Sequence, residues 1–313
     1  MKTAIILVTY NGWKITNACL QCLKCLPQEN FVITVIDNAS SDETPCVLPK
    51  EFPDVKFFPL NQNVGFGRAN NEAVRKLVQN GENFDSICFL NNDTLFSMSD
   101  IISLQNALNF LNEKKVPAVL TARLQNQDGS EQENYYRKIT NFEFLTNAFR
   151  NQKTAGKYLH GTLQKTEFPE FLEAFWFNAA CWMMSRSVFE RLGGFDEHFF
   201  MYYEDMDFAL RAQNSGVRFF LVSKIRITHL GGGSTASSQS QALQHDRSQE
   251  YIFEKHYGKK GLVLSKIFRI LRSSIRILFA SFKIPFSSKA RMTCRNHGSL
   301  LWHAMTGFKN QSD

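Results

Sequence analysis

The chain has 313 residues, 43% of them hydrophobic and 21% charged, with a formal net charge of +7. That length is enough to bury one large α/β core with appendages. No run of 18 apolar residues occurs, so no segment is expected to span a bilayer. The seven cysteines are scattered and odd in number, several lying in apolar segments, which argues against a disulfide framework and fits a reducing cytosol.

Lys2 precedes a short apolar run, residues 4–8, that closes on the polar Thr9-Tyr10-Asn11. The run is too short for a signal peptide and has no cleavage site; it reads as a first strand. Cys19, Cys22 and Cys25 then recur every three residues on a helical pattern, with no second Cys or His pair at zinc spacing, so helix packing is expected of them. Residues 32–37, 55–60, 86–91 and 117–122 are further strand-length apolar runs, most of them separated by helical patterns. Such alternation predicts a parallel sheet covered on both faces, with ligands bound beyond the carboxyl ends of its strands. Polar residues gather at those ends: Thr9-Tyr10-Asn11, Asp37-Asn38 and Asn91-Asn92-Asp93.

Each cluster has a functional and a structural reading. Asp37 can accept from a ribose hydroxyl or a base imide, while Ser40, Ser41 and Asp42 suit a helix cap. The stretch Asn63-x-Gly65-Phe66-Gly67-Arg68 is either a tight turn into a helix or a phosphate loop. It lacks the Lys-Ser/Thr of a P-loop and the full dinucleotide spacing. If it binds, Gly65 and Gly67 permit close backbone approach and Arg68 faces the diphosphate or sugar. Asp93 can hold Mg²⁺ or Mn²⁺ together with water and substrate phosphate oxygens, although a surface turn also selects Asn and Asp.

Residues 123–169 are polar and carry no assignable period; a lid or an acceptor-facing insertion is expected there. Residues 171–184 are apolar and aromatic, a buried strand by composition. A short helix over 185–192 stops at Gly193-Gly194, a second helix runs over 204–215, and a strand follows over 217–222. Glu204-Asp205-x-Asp207-x3-Arg211 opens the second helix, where acids suit the helix dipole and Asp207 with Arg211 has the spacing of a surface ion pair. His229 precedes a glycine-rich loop, Gly231-Gly232-Gly233, that is able to close over a site, or is itself structural. Arg247 is either a phosphate contact or a solvated helix charge.

In order and spacing, Val-Thr-Tyr-Asn at 8–11, Asp-Asn-x-Ser-Ser-Asp at 37–42, Gly-Phe-Gly-x-Ala-Asn-Asn at 65–71, Asn-Asn-Asp at 91–93, Gly-Gly-Phe-Asp at 193–196, Glu-Asp-x-Asp at 204–207 and His-Leu-Gly-Gly-Gly-Ser at 229–234 resemble the inverting family 2 glycosyltransferases of the GT-A fold, in particular rhamnosyltransferase-like bacterial members that build surface polysaccharide. The resemblance spans residues 3–258. It implies a nucleotide-binding half over 1–122, a variable insertion over 123–170, an acceptor and catalytic half over 171–258, and an extension over 259–313. It further implies that Thr9, Tyr10, Asn11, Asp37, Asn38, Gly65, Gly67, Arg68 and Asn92 bind the donor nucleotide. Asp93 and His229 would hold a divalent Mg or Mn, and Asp205, with Glu204, would be catalytic. Two positions depart from the pattern: Asn91 stands where many relatives carry an acid, and Asn178-Ala179-Ala180-Cys181 where relatives commonly have a glycine. The implied partners are a dTDP- or UDP-sugar donor and a glycan or lipid-linked glycan acceptor. A helix-start position should keep Asp205 ionised, as a base must be. The rival readings are a sugar nucleotidyltransferase, which would carry a Gly-x-Gly-Thr/Ser-Arg loop after the first strand, and a silent glycan-binding or membrane-scaffold protein.

The positive charge belongs to the end of the chain. From Lys255 onward there are 12 Lys or Arg and one acid, a net of +11 against +7 overall, which leaves −4 on the first 254 residues. On a helical wheel over 262–282, Lys266, Arg269, Arg272 and Arg276 take one side and Leu264, Ile267, Phe268, Leu271, Ile275, Leu278 and Phe282 the other. This predicts an amphipathic helix on an anionic membrane surface through residues 262–283, and so a cytoplasmic protein peripheral on the inner face of the plasma membrane; a helix packed on the catalytic domain is the competing expectation. No nucleic-acid module is recognisable.

Overall fold

The computed structural model describes residues 1–138, 160–231, 238–281 and 288–306. The first half alternates as its apolar runs require: β1 (Thr3–Thr9), α1 (Trp13–Leu23), β2 (Phe31–Asp37), α2 (Thr44–Glu51), β3 (Lys56–Pro59), α3 (Phe66–Gln79), β4 (Ser86–Leu90), the short β5 (Thr94–Leu95), α4 (Met98–Glu113) and β6 (Ala118–Gln125). Strands β1, β2 and β4 are Val-, Ile- and Leu-rich, and nearly every residue is buried, because helices cover both faces and β-branched side chains pack well on a pleat. Helix α4 starts at a capping box, with Ser97 and Asp100 exchanging backbone contacts.

The second half supplies β7 (Glu131–Gln132), β8 (Tyr135–Tyr136), β9 (Gln164–Lys165), β10 (Phe171–Ala174), β11 (Trp176–Phe177), β12 (Cys181–Ser185), α5 (Arg186–Arg191), α6 (Glu204–Asn214) and β13 (Arg218–His229). The main sheet runs β3-β2-β1-β4-β12-β6-β13-β10-β9, with β5 on β13 and β7 on β6. The first four strands are parallel, as expected. Strand β12 is antiparallel to both β4 and β6, so the sheet is mixed rather than purely parallel. The single buried strand expected over 171–184 is three strands: β10 joins the main sheet, β11 pairs with β8 in a separate ribbon, and β12 returns to the main sheet. All three pieces are apolar, so composition alone does not reveal where the chain changes sheets.

One face of the sheet packs Ile5, Leu7, Val35, Cys88, Leu104, Leu108 and Met183 into the main core. The other carries an aromatic cluster in which Phe195 meets Phe89 at 5.1 Å and Phe208 at 5.2 Å, and Trp182 meets Phe208 at 5.5 Å. All seven cysteines are free; Cys19 is buried in α1, Cys22 half-buried and Cys25 exposed beyond the helix end, in keeping with packing and not with a metal cluster.

The chain divides into two compact units. Of the described residues, the first comprises 1–138, 160–200 and 204–231; the second comprises 201–203, 238–281 and 288–306. Within the second unit, α7 (Ser238–Ser281) is interrupted at Gly258, whose φ of 65° and ψ of −168° are non-helical, and α8 (Ser288–Thr306) packs against it. The cationic side of the wheel faces inward. Arg269 is fully buried, its Nε donates to Asp246 Oδ2 at 3.1 Å, and it also binds Glu250; Arg272 reaches Asp246 Oδ1 at 3.1 Å. Burial alone would raise the Asp246 pKa, but the hydrogen bond from His245 and the charges of Arg269 and Arg272 hold it well below the usual carboxylate range. Asp246 and Glu250, some twenty residues upstream, draw the cationic side in. Among the described residues no helix is long and apolar enough to cross a membrane.

Candidate active site

Parallel pairing sets the ends of β1 and β2 level, with Thr9 opposite Asp37. Past these ends the chain folds into a hydrogen-bonded floor. Asn11 adopts a left-handed φ of 50°, its N–H donates to Ser40 Oγ at 2.8 Å, and its Oδ1 accepts from Ser41 N–H at 2.7 Å. Asp37 is buried and accepts from the Ser40 N–H at 3.3 Å and from its hydroxyl; burial nonetheless pushes its pKa up. Asp42 takes the N–H of Trp13 at 3.2 Å and of Thr44 at 3.0 Å, holding the starts of two helices. Tyr10 is exposed. Asn92 donates to Thr16 Oγ1 at 2.9 Å and Thr9 Oγ1 at 3.4 Å, tying the end of β4 to that of β1.

Asn38 organises the glycine loop. Its amide donates to Asn63 Oδ1 at 2.8 Å and Gly65 O at 3.3 Å, and its Oδ1 accepts from Val64 N–H at 2.9 Å. Gly65 has a φ of 84°, and a Cβ there would lie 2.1 Å from the Phe200 carbonyl oxygen; a Cβ on Gly67 would meet Phe195 Cβ at 3.1 Å. Protein neighbours crowd both glycines, as the tight-turn reading of this stretch requires. Gly65→Ala is expected to destabilise the protein by at least about 1–3 kcal/mol, the usual cost of a strained backbone position, with the clash added; thermal unfolding of the variant checks it. Arg68, half exposed, pairs with Glu197 at 3.5 Å. Asn71 clamps the Gly193-Gly194-Phe195 turn, accepting from Phe195 N–H at 3.0 Å and donating to Phe195 O at 2.8 Å.

His229 ends β13 beside Asp93, with Nε2 3.3 Å from Asp93 Oδ1 and 3.4 Å from the Asn91 amide nitrogen. Gln132 of β7 orients the ring. Its Nε2 donates to the His229 carbonyl at 2.7 Å and to Asn126 Oδ1 at 2.6 Å, which leaves its Oε1 to accept the Nδ1–H at 2.9 Å. A neutral imidazole so held turns its Nε2 lone pair toward a carboxylate oxygen, a contact that a proton or a metal cation makes favourable. The carboxylate and imidazole donors suit a divalent ion such as Mn²⁺. Among the described residues no cluster of three or more His, Cys, Asp or Glu forms a metal cage, so most ligands of such an ion would have to come from water and phosphate. Cys19 packs under this turn, 3.7 Å from Thr94 Oγ1, and burial pushes its thiol up to about 12.

Asp205 and Glu204 open α6, Glu204 buried and Asp205 half-buried. Burial raises Asp205 to about 6, despite N–H contacts from Met206 and Ala179. Burial, and then the charge of Asp205, raises Glu204 to about 8, and its Oε2 has no partner. Desolvation outweighs the helix start in setting the Asp205 pKa, yet a carboxyl at about 6 is still ionised at neutral pH. The contact from Ala179 ties Asp205 to the metal-side turn, because the next residue, Ala180, accepts the N–H of Asn91 through its carbonyl at 2.9 Å. Tyr136 of β8, stacked on Trp176 at 4.2 Å, lies close enough to Asp205 that burial and then that charge push its phenol up to about 12. Asp207 is fully buried, not a surface partner; it holds Arg211 at 2.8 Å, which in turn donates to the carbonyls of Leu192 and Gly194.

The structure thus joins Thr9 with Asn92, Asn38 with Gly65, and Asp93 with His229, and links Asp205 to the last pair through Ala179 and Ala180. Arg247 belongs to α7 in the second unit; Gly232 and Gly233 of the glycine loop expected to close the site lie outside the described residues, as do residues 139–159 of the expected insertion. Gln132 and Tyr136 escaped the sequence reading because they sit in a polar stretch without period; Asn71 carried only the signal of a motif position.

The family model for glycosyl transferase family 2 matches residues 4–193, and that for the N-terminal domain of galactosyltransferase matches 162–231. An N-acetylglucosaminyl-diphospho-decaprenol L-rhamnosyltransferase of Mycobacterium tuberculosis is 25% identical over 295 residues, covering 87% of this chain and 94% of its own. A dTDP-rhamnosyl transferase of Shigella flexneri is 26% identical, covering 72% of this chain and 68% of its own. Among solved structures, the mannosyltransferase PcManGT of Pyrobaculum calidifontis, in complex with GDP-Man and Mn²⁺, superposes with a TM-score of 0.53 at 14% identity, covering 98% of this chain and 88% of its own. Residues 1–349 of S. aureus TarS give 0.51 at 15% identity, covering 99% and 93%. These likenesses are of fold, the GT-A α/β architecture.

Proposed function

The chain belongs to glycosyl transferase family 2, and on that premise we propose that it transfers a sugar, rhamnose first among the candidates, with inversion from a dTDP- or UDP-linked donor to a glycan or polyprenyl-linked glycan during surface polysaccharide synthesis. The observation that carries this reading is the short backbone link between the two acidic positions. Ala179 contacts Asp205 and Ala180 accepts the N–H of Asn91, two residues before Asp93, an arrangement that supports a base for an acceptor hydroxyl near an anchor for a diphosphate.

Thr9, Tyr10, Asn11 and Asp37 frame the nucleoside on the hydrogen-bonded floor, with Asn92 beneath, while Asn38, Gly65 and Gly67 shape the loop beside it. Asp93 and His229 would hold a divalent ion, Mg or Mn, which would neutralise charge developing on the leaving diphosphate. Asp205 accepts the hydroxyl proton as the acceptor attacks the anomeric carbon in line. Glu204, protonated at neutral pH, holds the second position of the pair. The protein works in the cytoplasm, peripheral on the inner face of the plasma membrane, attached to an anionic surface through residues 262–283.

Transfer of labelled sugar from dTDP-rhamnose, compared with UDP- and GDP-sugars, to a polyprenyl-diphospho-sugar tests the reading. Product from a dTDP or UDP donor supports it; nucleotide-triphosphate-dependent formation of a nucleotide sugar would replace it with the nucleotidyltransferase. Two further results are expected. With Asp205 titrating near 6 and active only when ionised, kcat/KM should fall about tenfold per pH unit below that value; a profile flat to pH 5 contradicts the assignment. Gln132→Leu frees the His229 ring and should weaken Mn²⁺ binding in the presence of nucleoside diphosphate by roughly 10- to 100-fold, read by calorimetry.

A further inference from the structure

The rotation of α7 decides how the second unit meets a membrane. Beyond Gly258, the helix turns Leu264, Ile267, Leu271, Ile275, Leu278 and Phe279 to solvent, from 40% exposed at Leu264 to 68% at Phe279. At 1.5 Å per residue the stripe is roughly 22 Å long. Helix α8 packs beside it and exposes Trp302 and Met305. The opposite side of α7 is polar yet buried: Ser265, Arg269 and Ser273 face inward, and Arg269 is locked to Asp246 and Glu250. Turning the apolar stripe inward would tear buried charges from their partners, so the helix is fixed with its apolar side out.

We propose that this stripe, with Trp302 and Met305, is the docking face for an anionic bilayer, and that it binds by inserting apolar side chains into the interface and not by adsorbing a cationic face. The inference rests on the membrane attachment proposed above and specifies its surface. Two observations choose the occupant. The tail carries 12 basic residues and one acid from Lys255 onward, and Lys259, Lys260 and Arg295 are exposed beside the apolar faces. A second copy would bring the same positive flank against its own, whereas anionic headgroups complement it. Long basic side chains beside an apolar stripe, and a tryptophan at its border, are the pattern of a helix lying in the headgroup boundary.

The test is sedimentation of the full chain with phosphatidylglycerol–phosphatidylethanolamine vesicles at 0.1 M and ~0.5 M salt, salt that shortens the Debye length to a few ångströms. Wild type should stay bound at high salt with at most a several-fold loss. Leu271→Asp with Leu278→Asp should lower the bound fraction at least tenfold at either salt; both sites are exposed, so folding is retained, checked by circular dichroism and nucleotide binding. Lys259→Gln with Lys260→Gln should weaken binding only a few-fold. Binding that survives the aspartates but vanishes in high salt overturns the assignment of the face while leaving attachment intact. Failure of the wild type to bind vesicles removes attachment itself, and a dimer by light scattering that the aspartates dissolve would make the stripe a self-association surface. Transferase activity on a soluble acceptor is read separately, so neither failure is confused with loss of the proposed chemistry.

Discussion

Asp205→Asn is expected to lower turnover by about 10² to 10⁴, the usual worth of a general base, while leaving the affinity for donor nucleotide unchanged. The substitution preserves shape and the N–H contacts from Met206 and Ala179 reach an amide oxygen as they do a carboxylate. What is lost is the ability to take a proton. The same variant should unfold at a higher temperature at pH 7 to 8. The folded-state pKa of Asp205 is raised from 3.8 to about 6 by burial, so its contribution to stability is full below pH 3.8 and is lost as pH rises through about 6. Removing the charge relieves that cost, as expected where a site is arranged for chemistry at the expense of stability. Glu204→Gln should cost far less turnover, because burial and the neighbouring charge already keep Glu204 protonated at neutral pH. Equal losses in the two variants would mean that the pair, and not Asp205, is the base.

Asp93→Asn should reduce metal-dependent binding of the nucleoside diphosphate by 100-fold or more, beyond the roughly 10- to 100-fold expected for a residue that only orients a ligand. Asp93 is the sole acid of Asn91-Asn92-Asp93, and His229 faces it with a second donor. An amide keeps the turn, since the backbone bond from Leu230 N–H to the Asp93 carbonyl at 2.9 Å does not involve the side chain. Titration of Mn²⁺ and dTDP together into wild type and variant reads the loss directly. Affinity within threefold of wild type would exclude Asp93 as a metal ligand.

Strands β1, β2 and β4 were legible because buried strands are continuous apolar runs that end in polar residues, and the edge strand β3 because of its Phe57-Phe58 pair. The acidic positions fall at strand and helix ends, where backbone groups and side chains are free for ligands. What lay beyond reach was long-range pairing. A run such as 171–184 reads as one strand, since apolar composition does not tell which of two sheets each piece joins. The glycines at 65 and 67 announce close approach, but only the fold reveals that Phe200 and Phe195 are what approaches. Gln132, 97 residues from His229, gives no local signal at all. A wheel over 262–282 separates the two sides of α7 correctly and leaves open which turns inward; Asp246 and Glu250 settle that by pairing with Arg269.

The central claim is that strand ends, Asp93 and His229 together make a metal-dependent nucleotide-sugar site. Calorimetric titration of dTDP, UDP, GDP and CMP into the full chain, with Mn²⁺ and again with chelator, tests it most directly. The account predicts binding of dTDP or UDP in preference to GDP and CMP, with affinity falling at least tenfold when the metal is removed. Equal affinity for every nucleotide, or binding that chelator leaves unchanged, would contradict it.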